Sequence, residues 1–438
     1  MKCGFVICVL TLLQAGNAVA QENPVGLDFE QAMETAFTND PGLAAQNAAV
    51  RTEEFKVRQS ESTYYPRLSF YSNYNRISRI SSFEIFDPTA RAYREIEFAP
   101  RDRYNFGFSL SQEIYTFGRR PALKRVSRRG VEIARIDRSD YKRSTFDSVA
   151  RLFAALLLAR DNMKIQQDNM ERAEEKTGLV DARISQGLAT DYDRMQAELL
   201  SSRFNFDYNS ARGDYQQAKS ALVALIGWDK DYDFEPIGNL ESLEMALPES
   251  VSRDVDRIAQ IRRLSLSHQI MMDNVSANRS SLFPSLFFQA KYDWQNGYQP
   301  DINKIEGAWN LGLSLNWMLF DGFERKSRIS QSRYQAMQAQ NLMADMRPQL
   351  KSQIEGAQIA LETSMRELEL ARQRLSLAQK GLELADARYR QGLLTTSDLL
   401  DAEQARADAE NVMNATFYKV FMAKLDLKKA MQYYPELD

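Results

Sequence analysis

The sequence ARISQGLATDYD of residues 182–193 returns as ARYRQGLLTTSD at residues 387–398. In both copies a Gly-Leu pair is followed by a threonine and, three residues later, by an aspartate. Glycine often ends a helix, and a threonine with an acidic residue three positions on often begins the next one. Each copy therefore predicts a tight turn between two helices. A motif repeated at so long a spacing indicates one structural unit used twice.

Residues 1–20 have the pattern of a secretory signal peptide. Lys2 precedes an apolar run, and the small residues Ala18 and Ala20 form a cleavage site before Gln21. Both cysteines of the chain lie inside this segment, so we expect no disulfide and no thiolate metal site in the mature protein. The formal net charge of −3 argues against a nucleic-acid partner.

No later apolar run reaches the roughly 18 residues that a membrane-spanning helix needs, so membrane entry would use strands. Four segments alternate large apolar residues with small or polar ones: residues 68–74, 104–111, 286–294 and 309–317. They predict two hairpins, over residues 64–116 and 283–319, with one lipid-facing and one water-facing side. A soluble sandwich with one wet face is the alternative. Open sheet edges are not tolerated in hydrocarbon, so closure of a four-stranded sheet must come from other copies of the chain.

The rest of the chain predicts helices. Long helices are expected over residues 119–186 and 324–391, with returning helices over residues 190–225 and 395–431. At 1.5 Å per residue each long helix would measure about 100 Å. An alanine-rich heptad seam in the second long helix indicates close antiparallel coiled-coil packing.

The expected fold is mixed α and β but mostly α. Its predicted parts are a first repeat over residues 21–227, a linker or equatorial segment over residues 228–250 and a second repeat over residues 251–438. Pro348 falls inside the second long helix, and a kink or irregular turn is expected there.

Five short motifs follow one another along the chain: LDFEQA at residues 27–32, NDPGL at 39–43, LFDG at 319–322, YRQG at 389–392 and DLLD at 398–401. Together with the duplication, they resemble the TolC-type outer-membrane efflux proteins. The resemblance implies a homotrimer in which each protomer gives four strands to a 12-stranded β-barrel and its helices to a periplasmic α-barrel.

The function implied by this resemblance is transport. The chain would be the outer-membrane channel of a tripartite efflux or type I secretion system, a passive conduit for small toxic compounds or polypeptides. Its partners would be a periplasmic adaptor (membrane fusion protein), an inner-membrane transporter and outer-membrane lipid. We expect no enzymatic activity and no cofactor, because the sequence contains neither a phosphate-binding loop nor a nucleophile elbow.

The resemblance also assigns a periplasmic gate. Asp398 and Asp401 would form stacked carboxylate rings in a trimer, and Tyr389 with Asp193 would hold the entrance shut. From the residues alone, Asp398 could equally be a helix cap, Asp401 a solvated charge and Tyr389 the last residue of the heptad seam. Where the family has an arginine this chain has Leu394, a departure that leaves the full latch open, and Arg388 or Arg390 could substitute for the arginine from another angle.

The exposed turns are the expected adaptor contact. Gly187, Leu188, Gly392 and Leu393 would lie at the tip of the helical tube, where an apolar leucine fits docking. The glycines are explained equally well by their role in ending helices. The loop over residues 75–103 carries six arginines that could contact anionic lipopolysaccharide, with a solvated loop as the alternative.

Two other classes of protein would each explain part of the sequence. A periplasmic coiled-coil scaffold without channel activity would have the helices and the repeat, but it would not need strands with an apolar, lipid-facing side. A plain diffusion porin would have the strands, but it would not need so many helical residues.

Overall fold

The computed structural model describes residues 25–97, 99–228, 233–241 and 255–437, together with the single residues 243, 245 and 247. The predicted signal peptide lies outside the described residues, as do parts of the predicted linker over residues 228–250.

Helices dominate the described chain. They are α1 (Phe29–Asn39), α2 (Pro41–Ser62), α3 (Arg119–Ser185), α4 (Asp191–Ile226), α5 (Ala259–Ser280), α6 (Glu324–Arg390) and α7 (Thr396–Met431). Helices α2 and α5 have 22 residues each, α3 and α6 have 67 each, and α4 and α7 have 36 each. The same three lengths recur in the same order, as a duplicated unit would produce. Within the described residues, no helix combines the length and the apolar composition needed to cross a membrane.

Helix α6 runs through Pro348 without a break, at the position where the sequence predicted a kink or an irregular turn. Proline has no N–H, so one backbone hydrogen bond is missing there. Apolar residues of α6 before and after the proline pack into one cluster with residues of the segment 255–261. These α6 residues are Met343, Met346, Leu350 and Ile354. Their packing on both sides holds the helix together across the missing bond.

The strands of the described chain are β1 (Val25–Leu27), β2 (Arg67–Arg76), β3 (Ser82–Asp87), β4 (Ala92–Glu97), β5 (Asp102–Tyr115), β6 (Phe234–Pro236), β7 (Ser285–Gln295) and β8 (Glu306–Asn316). An antiparallel sheet has the order β2-β5-β7-β8, so the two predicted hairpins join side by side. The prediction of a mostly helical fold with four such strands is confirmed.

The four-stranded sheet separates apolar from polar side chains. One apolar row crosses all four strands and consists of Phe70, Phe108, Tyr292 and Trp309. This face is solvent-exposed in the single chain: Leu311, Leu313 and Leu315 of β8 are 60 to 71% exposed. A row on the opposite face consists of Ser69, Ser109, Lys291 and Asn310. The sheet thus presents an apolar surface that no described residue of its own chain covers.

The segment between β2 and β5 is more ordered than the predicted loop. Residues 82–97 form the antiparallel hairpin β3–β4, in which the rings of Phe86 and Tyr93 lie 5.5 Å apart. The segment's many charges favoured a loop, yet Phe83, Ile85 and Tyr93 alternate with neighbouring residues as strand residues do.

Two of the described arginines in this segment form ion pairs. Arg76 lies 3.7 Å from Asp102, and Arg101 lies 3.4 Å from Glu97. Acidic neighbours therefore offset part of the positive charge that the sequence analysis associated with lipopolysaccharide.

The chain divides into two compact units, each built from segments of both sequence halves. The first comprises residues up to 39, 148–244 and 370–421, and the second comprises residues 40–147, 245–369 and 422–438.

The first unit contains the parallel pair β1–β6, which the sequence analysis missed because each strand has only three residues. Phe234 of β6 is fully buried and packs edge-on against Trp228 at 5.8 Å. The second unit contains the four-stranded sheet and the cluster around Pro348.

Candidate gate and docking turns

Both long helices end in the same backbone turn. Gly187 has φ +72° and Gly392 has φ +76°, in the left-handed region that glycine adopts without strain. The N–H of Gly187 donates to the carbonyl of Ile184, and the N–H of Leu188 donates to that of Arg183, both at 2.9 Å. The second turn repeats both bonds at 2.9 Å. This pair of bonds is a Schellman motif, which satisfies carbonyls that a helix end leaves without partners.

Both returning helices begin with a reciprocal cap. The N–H of Thr190 donates to Asp193 Oδ2 at 2.7 Å, and the N–H of Asp193 donates to Thr190 Oγ1 at 3.3 Å. Thr395 and Asp398 form the same two bonds at 3.3 and 3.2 Å. Asp193 and Asp398 are therefore capping residues, whatever further role they have.

Tyr389 is buried and hydrogen-bonded at once. Its side chain is 1% exposed and packs against Ala385 and Leu399. Its hydroxyl lies 3.2 Å from Oγ1 of Thr396, the first residue of α7. The ring of Tyr389 thus packs in the helix seam while its hydroxyl lies within hydrogen-bond distance of α7, and its role in holding the entrance shut stays a prediction.

The cation beside Tyr389 comes from the first copy of the turn. The guanidinium carbon of Arg183 lies 4.2 Å from the centre of the Tyr389 ring, and Arg183 Nη1 donates to the Tyr389 carbonyl at 2.9 Å. Sequence reasoning missed this residue, because Arg183 and Tyr389 are 206 positions apart.

Arg388 and Arg390, the two arginines that the sequence suggested for this site, have different surroundings from Arg183. Arg390 pairs with Asp386 at 2.8 Å, and Arg388 is exposed. Leu394 packs against the cluster that contains Tyr389. Within the described chain it is Arg183 that stacks on the Tyr389 ring, and a role of Arg388 or Arg390 in the gate stays a prediction.

Asp193 links the two copies electrostatically. Hydrogen bonds from Thr190 hold the pKa of Asp193 below its usual value, and a hydrogen bond from Thr396 and the positive charge of Arg183 lower that pKa further. Arg183, Tyr389, Thr396 and Asp193 therefore form one polar network that joins the first turn to the second.

Asp401 lies one helical turn after Asp398 on α7 and is exposed. It lines a groove between α4 and α7. The other residues of this groove are Gln196, Leu199, Leu200, Arg203, Ser397, Leu400 and Gln404. The structure therefore places the two acidic gate candidates on neighbouring turns of one helix, with Asp398 engaged in its cap and Asp401 facing the groove.

A buried ionic layer lies next to the second turn and was not expected from the sequence. Glu403 is 5% exposed and lies 3.9 Å from Lys176 and 3.5 Å from Arg406. Lys176 also contacts Asp386 at 2.6 Å. The counterpart of Glu403 in the first repeat, Glu198, is exposed. The described residues contain no group of three or more His, Cys, Asp or Glu side chains placed to hold a metal ion.

The turn tips expose large apolar side chains. Leu188 is 64% exposed and Leu393 is 71% exposed, and the glycines before them are exposed as well. Their backbone is fixed by the Schellman bonds, so each turn presents its leucine on a defined support.

Apolar stripes continue along the neighbouring helices. On α4 the exposed residues are Tyr192, Met195, Leu199 and Phe206, and on α6 they are Leu370, Leu377 and Leu384. The α6 residues follow a strict seven-residue spacing, which is the pattern of a helix that packs against another helix.

Known proteins match this chain over most of its length. The sequence model of the family described as "Outer membrane efflux protein" matches residues 32–228 and 256–431. The chain is 24% identical over 452 residues to the outer membrane protein TolC of Vibrio cholerae, covering 99% of this chain and 95% of that protein. It is 23% identical over 425 residues to the pyoverdine export outer membrane protein OpmQ of Pseudomonas aeruginosa, covering 92% of this chain and 85% of that protein.

The solved structure of CusC superposes with a TM-score of 0.79 at 16% identity, covering 94% of this chain and 95% of that chain. Long paired helices together with a four-stranded sheet are the fold that the two chains share. The chain belongs to the outer membrane efflux protein family. It is an outer-membrane channel of tripartite export systems, extends into the periplasm and is not an enzyme.

Proposed function

We propose that three copies of this chain form a passive conduit that is closed at its periplasmic end by the two duplicated turns. The two repeats, residues 21–227 and 251–438, each give one hairpin and one helix pair, and residues 228–250 connect them. The observation that carries the proposal is the four-stranded sheet, whose outer strands β2 and β8 lack further partners in the described chain and whose apolar face is exposed. Twelve strands from three copies would close such a sheet in lipid.

The apolar helix stripes support assembly of the helical part as well. In one chain, Leu370, Leu377 and Leu384 are each more than 60% exposed. A heptad stripe of this kind needs a partner helix, and the stripe on α4 of another copy offers one of matching chemistry.

The gate of this proposal is formed by Asp398 and Asp401. Three copies would place two rings of carboxylates on neighbouring helical turns, and rings of one charge favour cations and obstruct anions. Asp401 faces a groove and is exposed, which fits the ring nearest to the permeating ions. Asp398 would combine the ring with its cap. Tyr389 and Asp193 would hold the closed state through the polar network between the two turns.

Docking of a periplasmic adaptor would use the turn tips. Gly187 and Gly392 fix the backbone, and Leu188 and Leu393 supply exposed apolar contacts on it. An inner-membrane transporter would deliver small toxic compounds or polypeptides through the adaptor into the conduit.

The channel is tested by planar-bilayer conductance of the detergent-extracted protein. A trimer with small, cation-selective openings is expected, and the double variant Asp398→Ala/Asp401→Ala should conduct more and select less. A protein that stays soluble without detergent would be a scaffold and would contradict the proposal. Unchanged conductance and selectivity in the double variant of a conducting trimer would show that these carboxylates are not the constriction.

The docking surface is tested by site-specific crosslinking in cells from Leu188→Cys and Leu393→Cys. Both cysteines of the chain lie in the predicted signal peptide, so labelling would report the introduced thiols alone. Capture of an adaptor from both positions is expected. Exposed Asn205, farther along α4 and outside its apolar stripe, supplies the control as Asn205→Cys, and equal capture from it would contradict docking at the tips.

A further inference from the structure

Arg183 holds the two turns together through one side chain. Arg183 lies in the last turn of α3. Its guanidinium carbon is 4.2 Å from the ring centre of Tyr389, and its Nη1 donates to the Tyr389 carbonyl at 2.9 Å. Stacking over an aromatic ring and a hydrogen bond from a charged donor are both among the stronger polar contacts in proteins. The last turn of α3 is thereby fastened to the last turn of α6.

Two groups near Arg183 favour its charged side chain. The carbonyls at the C-terminal end of α6 carry partial negative charge, which attracts a cation. Asp193 at the start of α4 adds a full negative charge, which attracts the positive charge of Arg183. Tyr389 in turn contacts Thr396 at the start of α7. Arg183 thus sits where the ends of all four helices meet.

The second copy of the motif lacks this arrangement. Arg388 occupies the same place in the repeat as Arg183, but it is exposed. The residue after Arg183 is Ile184, whereas the residue after Arg388 is the aromatic Tyr389. An arginine paired with a tyrosine ring therefore arises in one direction only, from the first copy onto the second.

We propose that Arg183 is the latch cation of the periplasmic gate, a positioning residue that keeps the α6–α7 turn against the α3–α4 turn in the closed channel. This inference rests on the proposed gate. Arg183 supplies a guanidinium from α3 to the network that contains Tyr389, Thr396 and Asp193. Opening requires the guanidinium to leave the ring and the carbonyl together.

The test is the open probability of single channels in planar bilayers for wild type, Arg183→Gln, Arg183→Lys and Arg388→Gln. Arg183→Gln should open at least about tenfold more often, because it loses a charged hydrogen bond and a stacked cation. Arg183→Lys keeps the charge but not the planar stack, so it should fall between wild type and Arg183→Gln. Arg388→Gln is the matched control, since it removes the same charge from the equivalent position, and it should behave as wild type.

Thermal unfolding of each extracted trimer separates a latch from a general defect. Similar unfolding temperatures with different open probabilities would support the latch. A wild type that conducts while Arg183→Gln conducts identically would overturn the latch but leave the channel intact. Equal activation by Arg388→Gln would also overturn it, because loss of charge at the tip would then be the cause. A trimer that inserts but never conducts in any variant would overturn the proposed channel and the latch with it.

Discussion

The two copies of the duplicated turn have the same backbone but different neighbours. Both use a left-handed glycine and a Thr-Asp cap, with hydrogen bonds that agree within 0.6 Å between copies. Yet Glu403 is buried in an ionic layer while its counterpart Glu198 is exposed, and Tyr389 is buried while its counterpart Ile184 is partly exposed. Local sequence thus determines the shape of the turn, whereas contacts with distant helices determine its role.

This difference separates two kinds of residue in the proposed gate. Glycines and caps should behave alike in both repeats, because they act within a few residues of their own chain. Side chains that contact another helix should behave differently in the two repeats. Matched substitutions at equivalent positions therefore test the comparison directly.

The largest difference is expected between Glu403→Ala and Glu198→Ala. Removing Glu403 leaves Lys176 and Arg406 with less negative charge in a buried layer, and breaking a buried ion pair from one side costs about 3 kcal/mol or more. Removing the exposed Glu198 should change the free energy of unfolding by about 0.5 kcal/mol or less. Denaturant unfolding of the extracted protein, followed by its helical signal, measures both.

Equal effects of these two substitutions would contradict the different packing of Glu403 and Glu198. A small effect of Glu403→Ala would mean that the ionic layer is open to water and adds little to stability. A large effect of Glu198→Ala would mean that this side chain is covered in the assembled trimer.

Gly187→Ala and Gly392→Ala should each cost about 1 to 2 kcal/mol, because alanine is strained in the left-handed conformation. Space does not distinguish the two sites: a Cβ at Gly187 would meet nothing within 4 Å, and one at Gly392 would meet only Arg183 Nη2 at 3.7 Å. The same unfolding measurement should therefore give equal losses. Clearly unequal losses would show that the turns are not equivalent even in their backbone.

The smallest effect is expected in the pH dependence of stability that comes from Asp193, which caps α4 together with Thr190. Because hydrogen bonds lower the pKa of Asp193 below 3.8, its charged form stabilises the folded protein at pH values above 3.8. That contribution is lost as the pH falls through the lower folded-state pKa. The free energy of unfolding, measured from about pH 6 down to about pH 2, should depend less on pH in Asp193→Asn than in wild type. An identical pH dependence in wild type and Asp193→Asn would refute this role of the cap.

Local patterns were sufficient to predict the turns and the sheet. Glycine, threonine and aspartate at fixed offsets act through bonds that span at most five residues, so Gly187 and Thr190 predict their own geometry. The alternation of apolar and polar residues likewise predicts a sheet with one apolar face, because side chains on a strand alternate between its two sides. The identity of the proposed gate residues came from the family resemblance rather than from these patterns.

Long-range contacts could not be predicted in this way. The stacking of Arg183 on Tyr389 joins residues 206 positions apart, and nothing near either one specifies the other. Glu403 follows an alanine just as Glu198 does, so sequence alone gave no sign that only Glu403 is buried. The hairpin β3–β4 was missed because charged residues between its apolar ones favoured a loop.

The most direct test of the account compares ion selectivity at one pair of equivalent positions. Asp401 of the second repeat corresponds to Gln196 of the first, and both line the same groove. The reversal potential across a salt gradient should show cation selectivity in wild type, a clear loss of it in Asp401→Gln and no change in Gln196→Ala. If Asp401→Gln kept the wild-type reversal potential in a conducting trimer, the second turn would not carry the selective gate, and the proposed carboxylate ring would be contradicted.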